Sequence, residues 1–167
     1  VILPQGPFRP TKVTYCNRIL LDFNGFQAGT IISNQYQGVR IFGEARFGRR
    51  GNDAMIFDSE SPTGGDYDLG FGNRWGILIL SEDQDRYDPD NNFHGGIFTF
   101  TFASAVRLDS VILLSNKVGV DIKMKDIQGN TIDSLWIDGK GSNSEEFVPL
   151  GYTQGVKTLE IHLEGPG

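Results

Sequence analysis

The chain has 167 residues and a net charge of −6, with 22 glycines, 12 phenylalanines and one cysteine. This length corresponds to one domain with a sizeable core. The negative charge excludes nucleic acid as a general partner, and the single cysteine, Cys16, excludes a disulfide framework. No apolar run is long enough to insert into a membrane.

The chain divides into a proline-containing start and a longer region of short apolar segments. Residues 1–17 contain three prolines without clear alternation, which indicates an extended arm or linker. From residue 18 onward, apolar segments alternate with turn signals such as Asn24-Gly25, which predicts one β-sandwich domain over 18–167. The predicted strands are 19–23, 30–32, 38–42, 54–57, 76–80, 96–102, 106–114, 118–125, 131–137, 145–150 and 156–163.

These segments predict an all-β fold. Roughly ten strands separated by turns are typical of an antiparallel, jelly-roll-like β-sandwich. The continuous apolar runs 54–57 and 76–80 indicate central strands covered on both faces. By contrast, Phe98, Phe100 and Phe102 alternate with threonines, as expected for a strand with one buried face. The arginine-rich segment 44–53 is expected to be a loop, and Trp136 is expected in the core.

Two acidic loops follow the two most apolar strands. We call residues 58–69 the first acidic loop and residues 81–92 the second acidic loop. Ten of the 21 acidic residues fall between Asp53 and Asp90, where Arg74 and Arg86 are the only basic residues. Calcium takes about six to eight oxygen ligands and tolerates irregular geometry. The loops therefore predict a Ca²⁺ site at one rim of the sandwich, with Asp58, Asp66, Asp68, Glu82, Asp83, Asp85, Asp88, Asp90 and Asn92 as candidate ligands.

Two other interpretations of the acidic residues compete with a calcium site. Solvated acidic loops would need no cation at all. Paired carboxylates also occur in glycoside hydrolases, but calcium would lower their pKa values, the opposite of what a general acid requires. His94 lies beside the second loop, where a histidine can act as a general base or a zinc ligand. The one other histidine, His162, falls on the polar face of the last strand, so a histidine-rich metal site is not expected. The sequence therefore predicts a protein that is not an enzyme.

Aromatic residues lie within the acidic loops. Tyr67 and Tyr87 are candidate ligand-binding residues, because aromatic rings at a loop surface can stack on sugar rings or hold a peptide. Trp75 and Phe93 are interpreted as structural residues that cap the core.

Several blocks resemble a known type of domain. Ala54-Met55-Ile56-Phe57-Asp58, Pro62-Thr63-Gly64-Gly65-Asp66, Asp68-Leu69 and Leu78-Ile79-Leu80-Ser81-Glu82-Asp83 are similar to the calcium-dependent β-sandwich domains of large bacterial surface adhesins and related secreted proteins. The resemblance covers about residues 19–167 and implies an extracellular module rigidified by calcium. Residues 1–17 and 44–53 have no counterpart in it.

The sequence thus supports two functional hypotheses. The first is a calcium-dependent binding or adhesion module, secreted or at a cell surface, that recognises carbohydrate or peptide. The alternative is a calcium-stabilised spacer or matrix protein with no soluble ligand. If the chain is a fragment, neighbouring modules are further partners.

Overall fold

A computed structural model describes residues 19–72 and 76–166. The described residues form nine strands and one short 3-10 helix, Tyr67–Leu69. The strands are β1 (Val39–Ala45), β2 (Ala54–Asp58), β3 (Gly76–Leu80), β4 (Gly96–Val106), β5 (Ser110–Leu114), β6 (Gly119–Lys125), β7 (Thr131–Asp138), β8 (Glu145–Pro149) and β9 (Val156–Leu163). The predicted all-β class is confirmed.

The strands form two layers, and every strand pair is antiparallel. One layer is a five-stranded sheet with the order β1-β4-β9-β6-β7. The pairs β2–β3 and β5–β8 lie against the inner face of this sheet. The pairing is nested along the chain: β1 pairs with β4 around β2–β3, and β5 pairs with β8 around β6–β7. Such nesting is the jelly-roll-like feature of this sandwich.

The larger of two hydrophobic cores lies between the layers. The five-stranded sheet contributes alternate residues, such as Phe98, Phe100 and Phe102 of β4 and Ile122 and Met124 of β6. The opposite layer contributes residues such as Ile56, Leu80, Leu113 and Val148. Each fully buried side chain of this size stabilises the fold by about 1.5–3 kcal/mol relative to an exposed one. This core holds the two layers together.

A second core covers the other face of the β2–β3 pair. Met55 pairs with Ile79 and Phe57 with Ile77, and all four side chains are buried together with Leu69 from the 3-10 helix. The two central strands are therefore covered on both faces, as their continuous apolar sequence predicts. The first acidic loop must fold back over this face, because Leu69 packs there.

Some predicted elements differ from the structure. Residues 19–23 form no strand, and within 30–32 only Ile31 makes an isolated bridge, to Met55. Strand β1 runs through Ala45, so the arginine-rich loop is shorter than predicted. The predicted arm 1–17, with Cys16, and Trp75 lie outside the described residues.

Two aromatic residues predicted to be buried are exposed. Trp136 is 56% exposed and Phe93 is 69% exposed. In β7 the residues with inward positions are Leu135 and Ile137, so the period of two places Trp136 on the outside. The sequence allowed either set of alternating residues to face the core, and the prediction chose the wrong one.

Candidate functional site

The two acidic loops meet over the outer face of the β2–β3 pair. Because β2 and β3 are antiparallel, the first loop leaves one end of the pair and the second loop leaves the opposite end. The first loop then returns across the second core through Leu69, and the second loop returns to β3 through the bridge between Ser81 and Asn91. The two loops thus leave opposite ends of the pair, and they come together because the first loop folds back across the second core.

Three hydrogen bonds join the loops directly. The Thr63 hydroxyl donates to the Pro89 carbonyl at 2.7 Å, the Gly64 amide donates to the Asp88 carboxylate at 2.9 Å, and the Asn91 amide donates to the Asp66 carboxylate at 2.7 Å. Gly64 has a φ of +61°, and a Cβ there would lie 2.3 Å from the Asp90 Cβ. The close approach of the loops thus depends on glycine at residue 64.

Asp90 occupies the centre of the junction. Its Oδ1 is buried, and none of the described residues donates a hydrogen bond to it. Burial and the neighbouring negative charges raise the pKa of Asp90 to about 6; in order of effect, those charges belong to Asp83, Glu82, Asp66 and Asp88. A carboxylate oxygen without a partner, surrounded by like charges, is unfavourable unless it binds a proton or a cation.

Asp66 and Asn91 form a second part of the junction. Burial, more than the charges of Asp68 and Glu82, raises the pKa of Asp66 against the lowering effects of the Asn91 amide and Lys117. With its side-chain nitrogen toward Asp66, Asn91 donates to both carboxylate oxygens, at 2.9 and 3.1 Å. The opposite amide orientation would bring three oxygens together, which is unfavourable unless a proton or a cation lies between them.

The other predicted ligands have partners elsewhere. The Asp68 carboxylate lies 2.8 Å from the Lys117 ammonium and accepts a 2.7 Å hydrogen bond from Ser115. Burial acts to raise the pKa of Asp68, but Lys117 and Ser115 outweigh it and lower that pKa. The remaining three predicted ligands each accept one backbone N–H two residues ahead, as in Asx turns: Asp58 from Glu60, Asp85 from Tyr87, and Asn92 from His94.

The acidic side chains at the junction have the charge and the oxygen atoms that calcium prefers, but their arrangement alone does not complete a site. Asp90, Asp83, Glu82, Asp66 and Asp88 supply oxygens and concentrated negative charge. Within residues 19–72 and 76–166, however, no three Asp, Glu, His or Cys side chains are arranged closely enough to hold a metal ion. Any ion bound here would therefore need backbone or amide oxygens as well, which calcium accepts.

The residues that anchor the second acidic loop, Asp53 and Gln84, were not predicted from the sequence. Asp53 is only 1% exposed, and its two carboxylate oxygens accept hydrogen bonds from the Ala45 amide at 2.9 Å and from Gln84 Nε2 at 2.6 Å. Gln84 has a φ of +65° and so takes a left-handed conformation. The one available signal was an acidic residue immediately before the buried strand β2.

A groove of about 450 Å³ lies beside the second acidic loop. One wall is segment 27–31, whose backbone bonds to β2 through Gly29 and Thr30. The other wall is Arg86 and Tyr87, and Tyr87 is 97% exposed. Gly29 has a φ of +78°, and a Cβ there would lie 2.1 Å from the Arg86 carbonyl, so the backbones of the two walls are in close contact at these residues.

The two tyrosines predicted to bind ligand are in different positions. Tyr87 lines the groove, whereas Tyr67, on the 3-10 helix, is 76% exposed but is not among the groove residues. Both side chains present an aromatic surface to solvent. Of the two, Tyr87 is the one that shares a concave surface with polar side chains, namely Gln27, Thr30 and Arg86.

No helix among residues 19–72 and 76–166 has the length and apolar character to cross a membrane.

Comparisons with known proteins give partial likenesses only. No protein-family model matches the chain, and no curated protein matches it. A histidine mutant of the lectin-binding domain of lectinolysin, complexed with Lewis b, matches with 8% identity and a TM-score of 0.45 over 77% of this chain and 83% of that one. The lectin domain of lectinolysin complexed with Lewis B antigen matches with 8% identity and a TM-score of 0.37 over 44% and 57%.

A fucose-binding module of Streptococcus pneumoniae matches with 20% identity and a TM-score of 0.36 over 45% of this chain and 58% of that one. The chain thus spans a little over half the length of two of these structures. At TM-scores below 0.5, these likenesses assign neither a family nor a ligand to this chain.

Proposed function

We propose that this domain is a non-enzymatic carbohydrate-binding module whose ligand occupies the groove beside Tyr87. The observation that carries the proposal is the composition of the groove. A tyrosine ring that is 97% exposed stands beside the guanidinium-bearing Arg86, with Gln27 and Thr30 on the facing wall. An aromatic face for stacking and polar groups for hydroxyl recognition are what a sugar ring requires.

Calcium has a supporting role in this proposal. Asp90, Asp83 and Asp66 would hold the ion with amide and backbone oxygens, and the ion would supply the positive charge that their carboxylates lack. Tyr87 lies between Asp83 and Asp90 in the same loop, and its amide bonds to Asp85. Ordering this loop would therefore fix the Tyr87 wall of the groove before the ligand arrives, which reduces the entropic cost of binding. An extracellular setting, where calcium is abundant, belongs to the same proposal.

A glycan array with the full chain tests the proposal. We expect reproducible binding in millimolar calcium that Tyr87→Ala reduces at least tenfold and that chelator weakens. Tyr67→Ala is the matched control, because it removes another largely exposed tyrosine that lies outside the groove. Binding unaffected by Tyr87→Ala would contradict the groove. A blank glycan array with hits on a peptide array would identify a peptide ligand, and blanks on both would support a spacer role.

A further inference from the structure

The outer face of the five-stranded sheet carries an exposed tryptophan outside the groove and the acidic loops. Within residues 19–72 and 76–166, no layer packs on this face, because both β2–β3 and β5–β8 lie on the opposite side. The strand register places Glu44, Ile97, His162, Asp121 and Trp136 in one row across the five strands. The neighbouring row is Phe42, Thr99, Glu160, Lys123 and Ser134.

The indole of Trp136 is held in one position although it is 56% exposed. Its Nε1 donates to the Asp138 carboxylate at 2.8 Å. Its six-membered ring occupies the position that a side chain at Gly119 would take, since a Cβ there would lie 2.5 and 2.8 Å from two ring carbons. The ring therefore leans over the β6 backbone, fixed by a hydrogen bond at one edge. Such an arrangement reduces the side-chain entropy lost when a ligand stacks on the ring.

The charges next to this ring are already paired with one another. Lys123 lies 2.9 Å from the Asp121 carboxylate, and Glu160 contacts both Lys125, at 2.5 Å, and His162, at 3.1 Å. Counting the row through Arg40 and Asp138 beside the indole as well, three basic side chains lie among four acidic ones; they are Arg40, Lys123, Lys125, Glu44, Asp121, Asp138 and Glu160. The face is thus close to neutral, in contrast to the strongly acidic loop junction.

We propose that this outer face is a second carbohydrate site, for a neutral oligosaccharide that stacks on Trp136. The face of an indole is electron-rich and attracts the weakly positive C–H edge of a sugar ring. Asp121 and His162, directly across the strands from Trp136, present planar groups that accept or donate hydrogen bonds to hydroxyls. A face with a small excess of acidic side chains gives a polyanion no advantage. This site rests on observations separate from those at the Tyr87 groove.

Tryptophan fluorescence tests the proposal in the full chain. The chain has two tryptophans, so Trp75→Phe leaves Trp136 as the reporter. We expect acrylamide to quench Trp136 readily in the free protein. The probes are cellohexaose, xylohexaose and mannohexaose, with polygalacturonate as the acidic comparison. At least one neutral hexaose should shift the emission to the blue and reduce the quenching constant at least twofold.

Variants distinguish this site from the groove and from loss of fold. Trp136→Ala, followed by calorimetry, should abolish hexaose binding at an unchanged melting temperature, whereas Tyr87→Ala should leave it intact. Asp138→Ala should weaken binding about tenfold, and Asp138→Asn, which keeps an acceptor oxygen, should restore it. The proposal is overturned if no neutral hexaose protects Trp136, if only polygalacturonate binds, if Trp136→Ala binds as well as the parent, or if Trp136 is already shielded without ligand.

Discussion

At the scale of single residues, two carboxylates in this protein have opposite environments. Asp90 has a buried Oδ1 that accepts no hydrogen bond from the part of the chain that the structure describes, and it is surrounded by other acids. Glu160 also loses solvent, but Lys125 and His162 both contact it. For Glu160, burial acts to raise the pKa, and the hydrogen bonds and charges of Lys125 and His162 outweigh it and lower the pKa below its ordinary value. The first carboxylate should therefore destabilise the metal-free fold, and the second should stabilise it.

Replacing Asp90 by asparagine should show whether the Asp90 carboxylate binds calcium. In chelator, we expect Asp90→Asn to raise the melting temperature by roughly 2–4 °C, because it removes about 1 kcal/mol of repulsion. In the parent protein, calcium at a hundredfold excess over its dissociation constant should add about 2.7 kcal/mol of stability, and the variant should lose this gain. Differential scanning calorimetry with and without calcium measures both effects.

Asp85→Asn is the matched control for this experiment, because Asp85 belongs to the same loop and its carboxylate accepts the Tyr87 amide in an Asx turn. It should keep the calcium response. If the Asp90→Asn protein melts below the parent in chelator, or if calcium still raises its melting temperature, Asp90 is not a calcium ligand.

Replacing Glu160 by glutamine should lower stability only where the carboxylate is ionised. Because the folded pKa is lowered, the contribution of Glu160 is present above its unfolded pKa of about 4.5 and is lost as the pH falls through the lower folded value. We expect Glu160→Gln to cost about 1 kcal/mol at pH 7, the upper end for a partly exposed ion pair, and nothing near pH 2.

Urea unfolding at the two pH values provides the measurement. Glu60→Gln, on the exposed surface of the first acidic loop, should leave both values unchanged. A cost for Glu160→Gln that persists at the lower pH would assign its effect to packing rather than to charge.

At the scale of elements, hydrogen bonds near both ends attach the second acidic loop to the sandwich. Gln84 bonds to Asp53, whose other carboxylate oxygen accepts the amide of Ala45 at the end of β1. Asn92 donates its backbone amide to Leu80 of β3 at 2.7 Å, and so fixes the far end of the loop. Between these two attachments, bonds from Asp88, Pro89 and Asn91 join the loop to the first acidic loop, and Tyr87 stays exposed.

Removing the Gln84 side chain should loosen this loop before the rest of the domain. Gln84→Ala leaves an oxygen of the buried Asp53 side chain without a partner, a change that costs about 1–3 kcal/mol. We expect faster amide hydrogen exchange in residues 81–90 than in β4 or β9 of the same protein. Gln128→Ala, in an exposed turn, is the control. Uniform acceleration across all strands would show that the bond supports the whole fold instead of the loop.

At the scale of the whole molecule, the β2–β3 pair connects two cores. Ile56 faces the core between the layers, and its neighbour Phe57 faces the core beneath the acidic loops. Because adjacent residues of one strand belong to both, neither core can lose its packing while the strand stays in place. The loops that carry the proposed groove are thereby coupled to the stability of the sandwich.

Core substitutions on either side of β2 should therefore shift one common unfolding transition. Ile56→Ala should cost about 2–5 kcal/mol and Phe57→Ala about 3–5 kcal/mol. Far-ultraviolet and near-ultraviolet circular dichroism should give coincident curves for both variants. Ile127→Ala, at an exposed turn, should stay within about 0.5 kcal/mol of the parent. Separate transitions for Phe57→Ala would show that the second core unfolds independently.

The all-β class, the approximate position of most strands and the two acidic loops could be predicted from the sequence, because alternation, turn residues and charge are local properties of the chain. The tertiary structure decided the nested pairing, such as β1 with β4, because those contacts join residues far apart in sequence. It also decided which acids surround Asp90 and which, like Asp68, bind a lysine instead. Trp136 faces outward for the same reason: only packing against the second layer determines which side of a strand is inside.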